Sequence, residues 1–135
     1  MTTTQQPVEI SRIVPTLTVD DVQKSISFYE ALGFAIDERW EDQGTLLGVM
    51  LRTGSTQIVL SQDDWKKGRD RQKGIGVRLS LAVPTPGGVD EIAKRVRSAG
   101  ITLKSEPHDT EWKSRAFEVS DPSGYLLTIF SETSA

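Results

Sequence analysis

With a single histidine and no cysteine in 135 residues, most nucleophile and metal chemistry is closed to this chain. No thiolate can attack a substrate, no disulfide can form and no Cys-ligated metal can be built. Divalent transition metals need imidazole, thiolate or several carboxylates converging on one point. His108 stands alone between Pro107 and Asp109 in a loop-like stretch, where a surface imidazole is the ordinary expectation, and the carboxylates are scattered. No GxSxG sequence occurs and no serine is evidently partnered to the histidine. The glycines of KGIG and PGG lack the spacing of a phosphate-binding loop. A cofactor-independent acid–base enzyme using Glu118 or His108 is the minority alternative.

Residues suited to binding are easier to find. Arg78 interrupts the alternating run VRLSLAV, and a guanidinium on an inner strand face carries a large desolvation cost unless it meets a carboxylate or a cavity. It reads either as the partner of Glu118 or another acid, or as an anchor for an anionic or carbonyl group. Trp40, Trp65 and Trp112 all fall in or beside extended segments, which makes each a packing residue or a pocket wall. Trp112 shares strand parity with Ser114, Ala116 and Glu118 and is the strongest pocket candidate of the three.

These residues must be positioned by elements that come in two copies. Ile10 to Phe34 reads as strand, capped helix and glycine stop, and Val77 to Ile101 repeats that order. Val22, Ile26 and Tyr29 make one apolar stripe, and Val89, Ile92, Ala93, Val96 and Ala99 make another with charges opposite. Asp20 with Gln23 resembles a capping box, Asp90 and Glu91 suit the positive end of the second helix, and Gly33 and Gly100 can take the left-handed conformation that ends one. Extended segments are expected at Phe34–Trp40, Thr45–Arg52 and Thr56–Ser61, then at Val77–Val83, Thr102–Ser105, Trp112–Val119 and Tyr125–Phe130. The first strand runs Ile13 to Val19, with Pro15 marking an edge, a bulge or an interface. DPSG fits a type I turn. Residues 62–76 carry many charges and no periodicity, as a solvated connector would, and Glu106 to Thr110 reads as a looser connection.

At this length the simplest reading is one domain, residues 1–135, with a core that removes about two thirds of the unfolded chain's surface from water. A net charge of −3 gives no footprint for nucleic acid or an anionic membrane. The opening MTTTQQPVE lacks the regions of a signal peptide, and no apolar run approaches the roughly 20 residues that span a bilayer, so a soluble, cytoplasmic protein is expected.

The phrase VDDVQKSISFYEALGF after the first strand and FEVSDPSGYLLTIF near the end together resemble the vicinal oxygen chelate superfamily of glyoxalases, bleomycin resistance proteins and extradiol dioxygenases. The resemblance covers about residues 10 to 132. It implies an α+β fold of two βαβββ modules, about 10–62 and 76–132 with a linker at 63–75, forming a curved mixed sheet around a cup with helices outside. In the family's enzymes four His, Gln or Glu side chains on the first and fourth strands of each module hold a divalent metal. The matching positions here are Val14, Val59, Arg78 and Thr128, none of them such a ligand, so neither metal nor other cofactor is expected.

On the implied cup side, strand parity places Val14, Thr16 and Thr18, then Gln57, Val59 and Ser61, then Arg78, Ser80 and Ala82, and finally Leu126, Thr128 and Phe130. Trp40, Trp112 and Glu118 complete the candidate lining. This mixed apolar and hydroxyl surface suits an organic ligand. The nearest branch is the metal-free, bleomycin-resistance-like one, which implies sequestration of a small apolar or aromatic molecule such as an antibiotic, in a homodimer with clefts between subunits. The alternatives are a glyoxalase-like lyase, isomerase or dioxygenase with a non-standard metal or acid–base site, and a protein-interaction module.

Overall fold

The fold was analysed in a computed structural model that describes residues 7–133. Alternation alone would start the first strand at Ile13, but strand β1 spans only Thr16–Val19 and Ile13 is 84% exposed. Pro15 sets the limit: its carbonyl accepts from Val59 N–H at 2.9 Å, while its own nitrogen has nothing to donate. The strand lies at a sheet edge, where a proline is tolerated.

Helix α1, Val22–Leu32, buries Val22, Ile26, Phe28, Tyr29 and Leu32. Its cap is Asp21 and not the Asp20 that the sequence pattern favours. Asp21 is extended, and its Oδ1 accepts from the N–H groups of Gln23 and Lys24 at 3.0 and 3.2 Å. Asp20 is drawn elsewhere, its N–H donating to Ser123 Oγ and its carboxylate pairing with Lys73. Gly33 ends the helix at φ 110°, in the left-handed region.

Three antiparallel strands follow, β2 at Ala35–Asp42, β3 at Thr45–Thr53 and β4 at Thr56–Gln62, and β4 pairs in parallel with β1 to give the order β1-β4-β3-β2. The second module repeats this with β5 at Arg78–Ala82, helix α2 at Pro86–Ser98, β6 at Ser105–Asp109, β7 at Ser114–Ser120 and β8 at Leu126–Glu132, in the order β5-β8-β7-β6. The fold is therefore α+β, two βαβββ modules of one helix and one mixed sheet each.

Three expectations for the second module are corrected. Helix α2 starts at Pro86 behind a Thr85 cap, so Asp90 and Glu91 lie beyond its first turn, and Asp90 pairs with Arg115. Proline at the first helical position costs no hydrogen bond, which makes PGG a helix start. The sixth strand is Ser105–Asp109 instead of Thr102–Ser105. Pro107 fits there because β6 is an edge, and the pairing slips between Ser105 and His108. Trp112 precedes β7 in the turn, where Lys113 has φ 57°.

Each helix covers one sheet face, and the apolar residues of that face meet it. Leu17, Val19, Val49, Leu51, Ile58 and Leu60 are buried beneath α1, while Phe117, Val119, Leu127 and Ile129 meet Val89, Ala93 and Val96 of α2, all in one continuous cluster. The modules are tied by polar contacts as well. Tyr29 in α1 donates to Asp121 Oδ2 across the boundary at 2.8 Å, and Tyr125 donates to the carbonyl of Thr18 at 2.9 Å. The connector is largely exposed but anchored, since Lys73 reaches back to Asp63 at 2.9 Å and also pairs with Asp20.

Candidate functional site

The face of each sheet turned away from its helix carries the residues that strand parity selects, and cross-strand pairing sorts them into rows. In the second module, Ala82, Phe130, Ala116 and His108 stand side by side across β5, β8, β7 and β6. The next row is Ser80, Thr128, Glu118 and Ser105, and beyond it Arg78 pairs with Leu126. Of these, Phe130, Ala116, His108, Ser80, Thr128, Glu118 and Arg78 border a cavity of about 720 Å³, whose rim is completed by Asp109, Thr110, Glu111, Trp112 and Ser114.

The floor of this cavity is apolar at one end and hydrogen-bonding at the other. Phe130 is half-buried and Ala116 buried, while Thr128 Oγ1 is shielded from solvent and has no hydrogen-bond partner among the described residues. Arg78 and Glu118 approach to 3.7 Å, with the guanidinium more than half exposed. At that distance the contact is a loose ion pair of small energetic weight. His108 turns Nδ1 to the carbonyl of Glu106 at 2.7 Å, so in the neutral ring Nδ1–H donates and Nε2 carries the free lone pair.

The structure divides the candidates from the sequence into two groups. Arg78, Ser80, Trp112, Glu118, Thr128 and Phe130 border the one cavity, Trp112 at its rim and 83% exposed. Thr16, Val59 and Trp40 belong to the corresponding face of the first module, and Val14 lies ahead of β1. Among the described residues no hydrogen-bonded ladder joins the two sheets, so each module has its own inner face. Asp109 and Thr110 were missed, and His108, named only as a candidate acid or base, was not placed on the sheet, because SEPHD reads as a loop. Only the tolerance of an edge strand for proline could have brought His108 onto the sheet.

On the first module the equivalent rows are Thr18, Ser61, Gly48 and Trp40, and then Thr16, Val59, Met50 and Glu38. A smaller cavity of about 290 Å³ sits where Thr18 and Ser61 meet the connector at Asp63, Asp64, Lys66, Lys67 and Arg71. Asp63 is buried there, and the Lys73 hydrogen bond holds its carboxyl below the usual range, helped by the Trp65 amide and Arg71. Burial works to lower the Lys73 pKa, but its hydrogen bonds to Asp20 and Asp63 outweigh that and hold it above the ordinary lysine value. A further cavity of about 510 Å³ lies between the modules, lined by the Thr53–Thr56 turn, β5 and α2, and Ser80 borders it too.

At the four positions where the family's enzymes carry metal ligands, the donor set is two valines, a guanidinium and one hydroxyl, which does not fit a divalent cation. Among the described residues, no three His, Cys, Asp or Glu side chains come together to hold one. No helix of the described residues is long and apolar enough to cross a membrane.

Paired βαβββ modules, each with a helix on one face and an open, mixed apolar and polar surface on the other, define the class of protein. The chain belongs to the glyoxalase/bleomycin resistance protein/dioxygenase superfamily, whose family model matches residues 9–129. It is 26% identical over 127 residues to a bleomycin resistance protein of Geobacillus stearothermophilus, covering 88% of this chain and 95% of that one. It is also 26% identical over 115 residues to glutathione transferase FosA of Serratia marcescens, covering 84% of this chain and 75% of the relative. Among solved structures, a hypothetical protein from S. aureus superposes with a TM-score of 0.72 at 24% identity, over 92% of this chain and 95% of the other.

Proposed function

We propose that this chain binds a small aromatic or apolar organic molecule without a metal, on the inner face of the second module, and acts by sequestering it. The observation that carries the reading is the cavity over Phe130, Ala116 and Thr128, which joins an apolar floor to a shielded hydroxyl without a partner. The similarity to bleomycin resistance proteins supports an antibiotic as the ligand, and the reading takes the cytoplasm as the place of action. Burying about 200 Å² of apolar ligand surface is worth roughly 5 kcal/mol before association costs. Micromolar affinity therefore needs a polar anchor, for which Thr128 and the loosely held Arg78 are placed. The cavity is open to one side, and a second copy of the chain closing it in a homodimer fits that geometry.

A panel of aromatic, cationic and glycopeptide antibiotics, followed by tryptophan fluorescence and calorimetry, tests the reading. At least one member binds, Arg78→Ala weakens binding about tenfold for a carbonyl-bearing or anionic ligand, and Trp112→Ala weakens it for an aromatic one. Unchanged affinity in both variants, with normal circular dichroism, places the ligand elsewhere. Sedimentation of a 14.9 kDa species at micromolar concentration rejects the homodimer.

A second reading rests on His108, whose Nδ1 is anchored and whose Nε2 has no hydrogen-bond partner among the described residues, in a cavity that Glu118 also lines, as suits a metal-free general base. Mass spectrometry of the bound ligand separates the two. Sequestration returns it unchanged, and acid–base chemistry returns an isomer or a cleavage product.

A further inference from the structure

The cleft of about 510 Å³ between the modules plays no part in the site above, and its chemistry is different. We propose that it is a separate recognition site for a short, extended, uncharged peptide, which adds to the free edge of β5 with one apolar side chain seated in the cleft. Four consecutive residues at the end of β5, Ser80 to Val83, line the space. Successive side chains leave a strand on opposite faces, so a cavity that touches all four runs along the strand's edge. Val83 donates its N–H to the carbonyl of Phe130 at 2.8 Å, which turns Val83, and by alternation Leu81, toward β8. The carbonyl of Ser80 and the N–H of Ala82 therefore point away from the sheet, and neither has a hydrogen-bond partner among the described residues. The edges at β2 and β6 are blunted, β2 by register shifts and a run of charges, β6 by a shift and Pro107. Between Ser80 and Val83 there is no charge, proline or bulge.

One residue of an extended chain laid beside this edge satisfies both groups at once. Its N–H donates to the Ser80 carbonyl and its C=O accepts from the Ala82 N–H, the pattern of a parallel ladder. That residue stands opposite Leu81, so its side chain takes the face that Leu81 takes. There Leu81, Val83 and Ile92 are only partly buried against the core, while Leu32 and Phe34 close the wall from the first module. The Thr53–Thr56 turn forms the far side with hydroxyls. Among the described residues no charged side chain lines the cleft, whereas Arg78, Asp109, Glu111 and Glu118 line the second module's cavity. A carboxylate or ammonium entering the cleft loses hydration and gains no ion pair, and an apolar side chain flanked by amides avoids that cost.

The probes are N-acetyl-leucine N-methylamide, the same compound methylated on the leucine nitrogen, and N-acetyl-leucine as the free carboxylate. Each is titrated to millimolar concentration into the full-length protein and followed by amide chemical shifts. The first probe is expected to give saturable shifts at Ser80, Leu81, Ala82 and Ile92 and in the Thr53–Thr56 turn. Methylation removes the donor to Ser80 and weakens binding about 3- to 10-fold, the range of one net hydrogen bond, and the carboxylate binds at least about tenfold more weakly. Ile92→Lys puts a charge into the wall at a helical position that lysine suits, and weakens the first probe at least about tenfold. Trp112→Ala leaves it unchanged. The probe series in the unaltered protein decides the matter even where the Ile92 variant is destabilised. Shifts at Thr128, Phe130 and Trp112 without those at Ala82 and Ile92 place the probe in the second module's cavity, which overturns this proposal and leaves the reading above intact. Equal affinity for the methylated probe overturns it too. So does the absence of any saturable shift, which together with a dimer in sedimentation assigns the β5 edge to a second copy of the chain.

Discussion

Replacing Tyr29 with Phe removes one oxygen from the centre of the molecule, and the structure sets how much that should cost. Tyr29 is fully buried, and its hydroxyl donates at 2.8 Å to Asp121, which is 4% exposed. Phenylalanine keeps the ring and its edge-on contacts with Phe28 at 5.0 Å and Phe34 at 5.9 Å, so packing is unchanged. What is lost is a hydrogen bond to a charged acceptor, about 1.5 to 3 kcal/mol. In a chain of this size that lowers Tm by about 5 to 12 °C. The loss should also depend on pH. Burial pushes the Asp121 carboxyl above its ordinary pKa, while the Tyr125 amide and the Tyr29 hydroxyl hold it down. Without the hydroxyl the folded-state pKa rises further. A raised folded-state pKa means that stability is fully present at low pH and lost as pH climbs through it. The penalty of Tyr29→Phe is therefore largest near neutral pH and shrinks in acid. Scanning calorimetry of both proteins between neutral pH and mild acid measures this. A shift under about 2 °C at neutral pH, well below the hydrogen-bond range, or a penalty that grows in acid refutes the reasoning.

Three further outcomes follow from the same structure. Lys73→Met leaves Asp63 buried with Arg71 as its remaining cation, so the variant unfolds earlier at neutral pH. Because the Asp63 pKa is depressed, its stabilisation is lost as pH falls through the folded value, and thermal melts of the two proteins converge in strong acid. Gly48→Ala forces a Cβ to 2.8 Å from the Leu60 carbonyl oxygen, which costs about 1 to 3 kcal/mol in urea titrations and shifts Trp40 emission. Elemental analysis after mild purification finds no stoichiometric zinc, iron, nickel or manganese, and chelators leave Tm unchanged. One metal per chain contradicts the reading of Val14, Val59, Arg78 and Thr128.

The two-module organisation was legible because its signals are local. Apolar stripes at helical spacing and the stops at Gly33 and Gly100 need only neighbouring residues, and both glycines do take positive φ, 110° and 83°. Strand parity likewise put Arg78, Ser80, Thr128 and Phe130 on one face. What escaped depends on distant partners. Asp20 and Asp21 are equally good caps in isolation, and only Ser123 and Lys73 decide between them. The connector's charges read as solvated because their pairing joins Lys73 to Asp20, 53 residues away. His108 entered the cavity through an edge strand that Pro107 disguises. The separation of Trp40 and Val59 from Arg78 and Thr128 was beyond strand parity, which says which face a residue takes and not how two sheets are placed.

The central claim is that the ligand lies on the inner face of the second module. Amide chemical-shift mapping with whichever antibiotic binds tests it most directly. The account predicts perturbations centred on Ser80, Ala116, Thr128 and Phe130, extending to Trp112 at the rim. Shifts confined to α1 and α2, or to the 510 Å³ cleft around Leu81, Val83 and Ile92, would contradict it.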